Sequence, residues 1–253
     1  STPLYSSAAS DVYKRQVLFA APLWLPQVIS ARRPKNRVFQ DATPHLPMNR
    51  LVRSRLAWAV TAYFAVLSMI FYTVNAWLPT MLIEQGRDAD AGGQLLTVVN
   101  LVAIPFALVV SILVHRAWSQ VWATTIGSIG LGLGMAGLYF GPAGVGFAFA
   151  ALFGIGHGTA TGIAFSLAML RTNSVAGTAA LGGMSQTAGY LLSSLGPVSA
   201  GALHDVLGDL VSDAWAVVMV VLVAIVLVQL LAGFVAGRDR TLEDELNGNS
   251  SSK

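Results

Sequence analysis

Cysteine is absent from the 253 residues, which excludes a disulfide framework and any thiolate-held metal. Charge is scarce as well: Asp, Glu, Lys and Arg make up 11% of the chain against 55% apolar residues. Soluble globular domains carry about a quarter charged residues, so the composition excludes that class. Signatures of soluble enzymes are missing too, since neither a Walker-type phosphate loop nor a His-Glu-x-x-His string occurs. The glycine-rich strings GIGHG and GLGLG lie inside apolar runs rather than after a strand, so neither reads as a dinucleotide fingerprint. No cofactor, metal or catalytic residue is expected. An intramembrane enzyme would need a nucleophile beside a base, and His157 has no evident Ser or Asp partner in the chain. The small excess of basic residues sits in loops rather than in a patch, so no nucleic-acid partner is expected either.

What the sequence has in abundance is long uncharged runs. A membrane-spanning helix needs about 20 consecutive, mostly apolar residues to cross a hydrocarbon layer roughly 30 Å thick. Residues 56–78, 92–114, 121–140, 143–170, 178–203 and 214–236 each lack Asp, Glu, Lys and Arg. A transmembrane barrel would instead alternate apolar and polar residues over segments of about 10. The expected class is therefore all-α, a polytopic membrane bundle of six helices working inside a lipid bilayer.

Loop charges order these spans. Arg32, Arg33, Lys35, Arg37, Arg50, Arg53 and Arg55 precede the first span, opposed only by Asp41. Alternate loops from there hold Arg116, Arg171, and Arg238 with Arg240, while the intervening loops hold Glu84, Asp88, Asp90, Asp205, Asp209 and Asp213. Arg87 is the one exception. Lys and Arg in short loops mark the cytoplasmic side, so both ends of the six-span block are expected there.

The flanks differ from this block. Residues 1–16 are polar and end in the string SSAASDVYKRQ, which resembles a translated adapter junction, so a non-native or disordered leader is expected. The apolar run at 17–30 is too short to span and reads as a truncated preceding helix, followed by a basic cytoplasmic loop at 31–55. Residues 56–240 form the six-helix block. Residues 241–253 turn acidic and then rich in Ser and Asn, which predicts a disordered tail.

Within the spans, small residues recur every fourth position at Gly154, Gly158 and Gly162, and at Ser185, Gly189, Ser193, Pro197 and Gly201. Such faces let helix backbones approach closely, either as fixed packing or as a moving interface. Polar residues also share faces: Thr61, Ser68, Tyr72 and Asn75 with Phe64 on the first span, and Gln94, Thr97 and Asn100 on the second, ahead of a kink expected at Pro105. These faces are expected to point inward. Gln186 and Tyr190 stand one turn apart on the fifth span, either contacting a ligand or bonding a neighbouring helix. His157 is the one ionisable side chain well inside a span. Two readings stand for it: substrate contact or proton handling, and a neutral interhelical hydrogen bond.

The layout of a partial span, a long basic loop and six spans resembles the second half of a major facilitator superfamily transporter. The strings AWLPTMLIEQG at 76–86 and GGMSQTAGYLLSSLGPVSAGALHDVLGD at 182–209 resemble its cyanate and nitroimidazole permease-like branch. The likeness covers about residues 17–240. It implies that the six spans are helices seven to twelve, with 17–30 the end of helix six, and that the first, second, fourth and fifth spans line a cavity. Tyr72, Asn75, Asn100, His157, Gln186 and Tyr190 are then the expected substrate-binding residues. The family's Gly-x-x-x-Asp-Arg type loop is reduced here to LVHRAW, which keeps Arg116 without an acid.

The function so implied is secondary active transport of a small solute, such as cyanate, a nitroimidazole or another small organic compound. Alternating access would operate between this half and an N-terminal six-helix half of the same protein. The alternative is a noncatalytic six-helix membrane module acting as an assembly partner or sensor.

Overall fold

A computed structural model describes residues 48–114, 120–238 and 241–248. The expected leader, the run at 17–30, residues 31–47 of the basic loop, Arg116 and Arg240 lie outside the described residues. Those described are helical, with no strand among them. The helices are α1 (Met48–Leu51), α2 (Arg55–Glu84), α3 (Ala91–Leu113), α4 (Gln120–Phe140), α5 (Gly146–Leu170, entered through a 3-10 turn at Ala143–Val145), α6 (Val175–Ser193), α7 (Leu195–Gly208), α8 (Ala214–Ala236) and α9 (Leu242–Gly248).

Helices α2, α3, α4, α8 and α5 with its 3-10 turn are long and apolar enough to cross a bilayer. The remaining expected span, 178–203, is divided into α6 and α7. Pro197 supplies the reason, because its ring crowds the carbonyl four residues back, that of Ser193, and it has no N–H to offer. Ser193 and Ser194 turn their hydroxyls onto the carbonyls of Tyr190 and Leu191, at 3.0 and 2.8 Å, a local competition that bends helices. By contrast α3 runs through Pro105 as one helix.

Helix boundaries follow from local chemistry. Ser54, Ser174 and Asp213 cap α2, α6 and α8 by accepting from the N–H three residues on. Helix α2 ends in a Schellman turn: the N–H of Gly86 reaches Ile83 and that of Arg87 reaches Leu82, both at 2.9 Å. Gly86 takes φ +76° there, a conformation that L side chains resist.

Packing is organised around two helices. Helix α5 lies between α3 and α4, and α2 packs against α6, α7 and α8. The expected small-residue faces seat α5 on α3 and α6 and α7 on α2, whereas the contact of α5 with α4 uses Gly156, which lies outside them. A Cβ added to Gly158 would fall 2.3 Å from the Ala103 carbonyl oxygen on α3, and one on Gly156 would fall 2.1 Å from the Leu131 nitrogen on α4. Gly189 meets the Phe64 ring and Gly201 the Trp77 ring, seating α6 and α7 on α2. A Gly158→Ala variant is expected to lose about 1–3 kcal/mol by overpacking, seen as a lower melting temperature. Gly93→Ala, where nothing lies within 4 Å, should lower it little or not at all.

The loop charges gather at opposite ends of the bundle. At the acidic end His204 stacks on Trp215 at 4.0 Å and lies 3.4 Å from the Glu84 carboxylate, while the Tyr139 hydroxyl donates to Asp213 at 2.6 Å. At the basic end the Arg171 side chain is buried and donates to the Ala236 carbonyl and to Gln120.

Residues 241–248 of the expected disordered tail are described and include a helix, and 249–253 lie outside the described residues. Leu242 is wholly buried and Glu245 receives three hydrogen bonds from the start of α2. Thr241 and Asp244 cap α9, the hydroxyl donating to the carboxylate at 2.7 Å. Hydrogen bonds from Thr241 hold the Asp244 carboxyl below its ordinary range. Composition carries no sign of these contacts, which hold the described part of the segment against the bundle.

Candidate functional site

Three of the six expected residues meet in one aromatic cluster built from α2, α5 and α6. On α2, Phe64, Phe71 and Tyr72 recur at helical spacing. The Tyr72 and Tyr190 ring centroids lie 6.4 Å apart, Tyr190 meets Phe64 edge-on at 5.1 Å, and Phe64 meets Phe165 at 5.6 Å. Phe71 stands beside Tyr72 and stacks on the His157 imidazole at 4.1 Å with planes 7° apart. Both tyrosines remain 43% exposed, so the cluster opens at the surface of this bundle while its base is closed.

His157 is held by its neighbours. Its Nε2 lies 3.4 Å from the Thr161 hydroxyl one turn on, and its ring runs nearly parallel to that of Phe153. Its Nδ1 is buried with no hydrogen-bond partner among the described residues. A buried polar atom left unpaired costs about 1–3 kcal/mol, so a movement of the surrounding rings that admitted a polar partner would be favoured there.

The other three expected residues are placed differently. The Asn75 amide donates to the Phe71 carbonyl of its own helix at 2.9 Å and is half-buried. The Asn100 amide donates to the Leu96 carbonyl at 2.8 Å and is exposed. Gln186 is exposed one turn before Tyr190. The inward orientation expected for Gln94, Thr97 and Asn100 is not found within this bundle, where all three are exposed. Gly92, Leu95, Val99 and Ala103 occupy the packed side of α3 instead. On α2 the expectation holds for Thr61 and Ser68, which are buried.

A cavity of about 720 Å³ opens at the acidic end, lined by Gln85, Arg87, Asp88, Gln94, Tyr139 and Phe147 among others. It contains none of the six expected residues. Two of its donors are already engaged, Gln85 with the Tyr139 carbonyl and Arg87 with that of Gly141. It therefore offers weaker recognition than the aromatic cluster.

Sequence reading missed Phe71, because an aromatic residue inside an apolar run carries no polar signal. It also missed Gln229, the one amide in α8, buried with both side-chain polar atoms unpartnered among the described residues. The Tyr63 hydroxyl on α2, also buried, faces Gln229 on α8 and Ser128 on α4. Asking which span holds a lone amide would have found Gln229.

The family model described as Major Facilitator Superfamily matches residues 17–197. The chain belongs to this superfamily. As a member with several apolar helices, it is a multi-pass membrane protein. It is 31% identical to an uncharacterized transporter, YycB, of Bacillus subtilis (strain 168), over 92% of this chain and 56% of that one. It is 30% identical to the 2-nitroimidazole transporter of Escherichia coli (strain K12), over 89% of this chain and 55% of the relative. Similarity also extends to the cyanate transport protein CynX of Escherichia coli (strain K12), 26% over 66% and 43% of the two chains. The chain spans about half the length of these curated relatives. No solved structure matches the chain.

Proposed function

We propose that this chain is the C-terminal half of a secondary transporter that moves a small solute across a bacterial inner membrane by alternating access. In this reading the six spans are helices seven to twelve, the basic end faces the cytoplasm by the charge rule for short loops, and an N-terminal half of the same protein covers the exposed face. Substrate sits near the midplane between the halves. The single observation that carries the proposal is the open aromatic cluster of Tyr72, Tyr190, Phe71 and His157 on α2, α5 and α6. Exposed tyrosines and an unpaired imidazole nitrogen have a use when a second half and a substrate close over them.

The cluster favours a flat, polarisable ring as cargo. Aromatic faces and edges attract such rings by offset or edge-on stacking worth about 0.5–1.5 kcal/mol per pair beyond burial, and a nitroimidazole has that shape. Cyanate, a small linear anion, would use the His157 nitrogen and the amides of Asn100 and Gln186 more than the rings. No Arg or Lys lies within the spans of this half, so a fully charged cargo needs its counter-charge from the other half.

The test is radiolabelled uptake by the full-length protein in vesicles, with 2-nitroimidazole and cyanate as competing probes. Saturable uptake of either supports the transporter reading, and its absence with a correctly inserted protein favours the noncatalytic module. A Tyr190→Ala variant is expected to raise the KM for the ring substrate about tenfold, consistent with one lost stacking partner. Tyr190→Phe should stay within about twofold of the unaltered protein, because the ring rather than the hydroxyl makes the contact.

A further inference from the structure

We propose that residues 241–248 form a strap that clamps the start of α2 to the end of α5 and controls how the basic end of the bundle opens. The control of opening rests on the transporter reading; the clamp itself does not.

The chemistry begins at the first turn of α2, whose N–H groups have no intrahelical acceptors. Ser54 accepts from the Ala57 N–H at 3.0 Å. The two donors it leaves, those of Arg55 and Leu56, go to the two carboxylate oxygens of Glu245 at 2.8 and 3.1 Å, and the Ser54 hydroxyl donates to the same carboxylate at 3.0 Å. A negative charge from 190 residues away thus completes the cap of the longest helix, where the helix dipole also favours it. At its other end the strap is fastened to α5. The Leu242 N–H donates to the Arg171 carbonyl at 2.8 Å, and the Asn173 amide donates to the Thr241 hydroxyl at 3.2 Å. Between these ties the Leu242 side chain is wholly buried.

The two helices so joined carry the candidate site. Tyr72 and Phe71 ride on α2 and His157 on α5, and the Phe71 and His157 rings are stacked. Movement of the end of α5 relative to α2 must either break the strap or shear that stack. A seven-residue helix held by buried Leu242, half-buried Leu246 and a handful of hydrogen bonds is suited to breaking first, since it has too few turns to be stable alone. Release of the strap is then the step that lets the basic end open while the remainder of the bundle stays packed.

The experiment compares the unaltered full-length protein with Glu245→Ala, Glu245→Gln and a truncation after residue 240, all in nanodiscs. Hydrogen exchange is read on peptides covering 51–60, 146–170 and, where present, 241–248. The strap predicts at least tenfold faster exchange at 51–60 in Glu245→Ala and in the truncation, with 146–160 unchanged and Glu245→Gln intermediate. Exchange at 51–60 unchanged by the truncation overturns the clamp. In uptake assays, control of opening predicts a change of threefold or more in maximal rate in Glu245→Ala with KM within twofold. Faster exchange with an unaltered rate overturns the control and leaves a static brace. Absence of uptake by the unaltered protein would instead remove the transporter reading, with the exchange result still deciding the clamp.

Discussion

Uptake by a His157→Ala variant of the full-length protein is expected to fall by about tenfold to a hundredfold at equal membrane abundance. The estimate comes from the Nδ1 atom, buried and without a partner among the described residues. A hydrogen bond to a polarised or charged group contributes roughly 1.5–3 kcal/mol, which converts to that range at 1.4 kcal/mol per decade. The ring cannot turn away from a ligand at low cost, because Phe71 stacks on it at 4.1 Å and Thr161 lies 3.4 Å from Nε2. Alanine removes both the polar atom and the stacking face. Asparagine, whose amide nitrogen falls near the position of Nδ1, should restore part of the rate, while leucine should restore the packing and none of it. A histidine serving only to join helices gives a different pattern: melting temperature and abundance fall together, leucine rescues, and uptake per inserted molecule is unchanged. That pattern would remove His157 from the site.

Span positions were legible because an uncharged run of about 20 residues has few fates other than crossing a membrane. The expected 214–236 coincides with α8, and the other ends differ by a few residues. What the pattern could not give was orientation about the helix axis for α3, whose polar side and packed side are both uncharged. Gly92 presses on Pro79 and Gly154, Gly158 and Gly162 press on α3, and these contacts turn Gln94, Thr97 and Asn100 outward. The amides of Asn75 and Asn100 illustrate a second limit. Periodicity marks them as polar groups on a face, yet each donates to a carbonyl one turn back on its own helix, a choice local geometry makes without leaving a trace in spacing. The aromatic cluster depended on contacts between residues such as Phe64 and Tyr190, which no local pattern joins. The strap lay further out of reach, because the acidic composition that suggests disorder at 241–253 is also what caps α2.

Arg171→Ala is expected to destabilise the bundle by about 3–5 kcal/mol, whereas Arg238→Ala should cost about 1 kcal/mol or less. In the sequence the two arginines are equivalent, since each follows a span and marks the basic end. In the structure Arg171 is 3% exposed. Its guanidinium donates to the last carbonyl of α8, to that of Leu170 and to the Gln120 amide oxygen at the start of α4, and its own carbonyl receives the Leu242 N–H. One side chain therefore serves three helix ends, with a positive charge near two C-termini where the dipole favours it. Removing it strands buried acceptors at about 1–3 kcal/mol each. Lysine should restore little, because a single ammonium cannot reproduce the planar fork. Arg238 is exposed and its guanidinium lies over the Phe234 face at 4.5 Å, an arrangement worth roughly 0.5–1 kcal/mol. Thermal unfolding of the two variants in nanodiscs separates the roles. A loss in Arg171→Ala of about 1 kcal/mol or less, no larger than that of Arg238→Ala, would mean that the buried network at Arg171 carries no stability of its own.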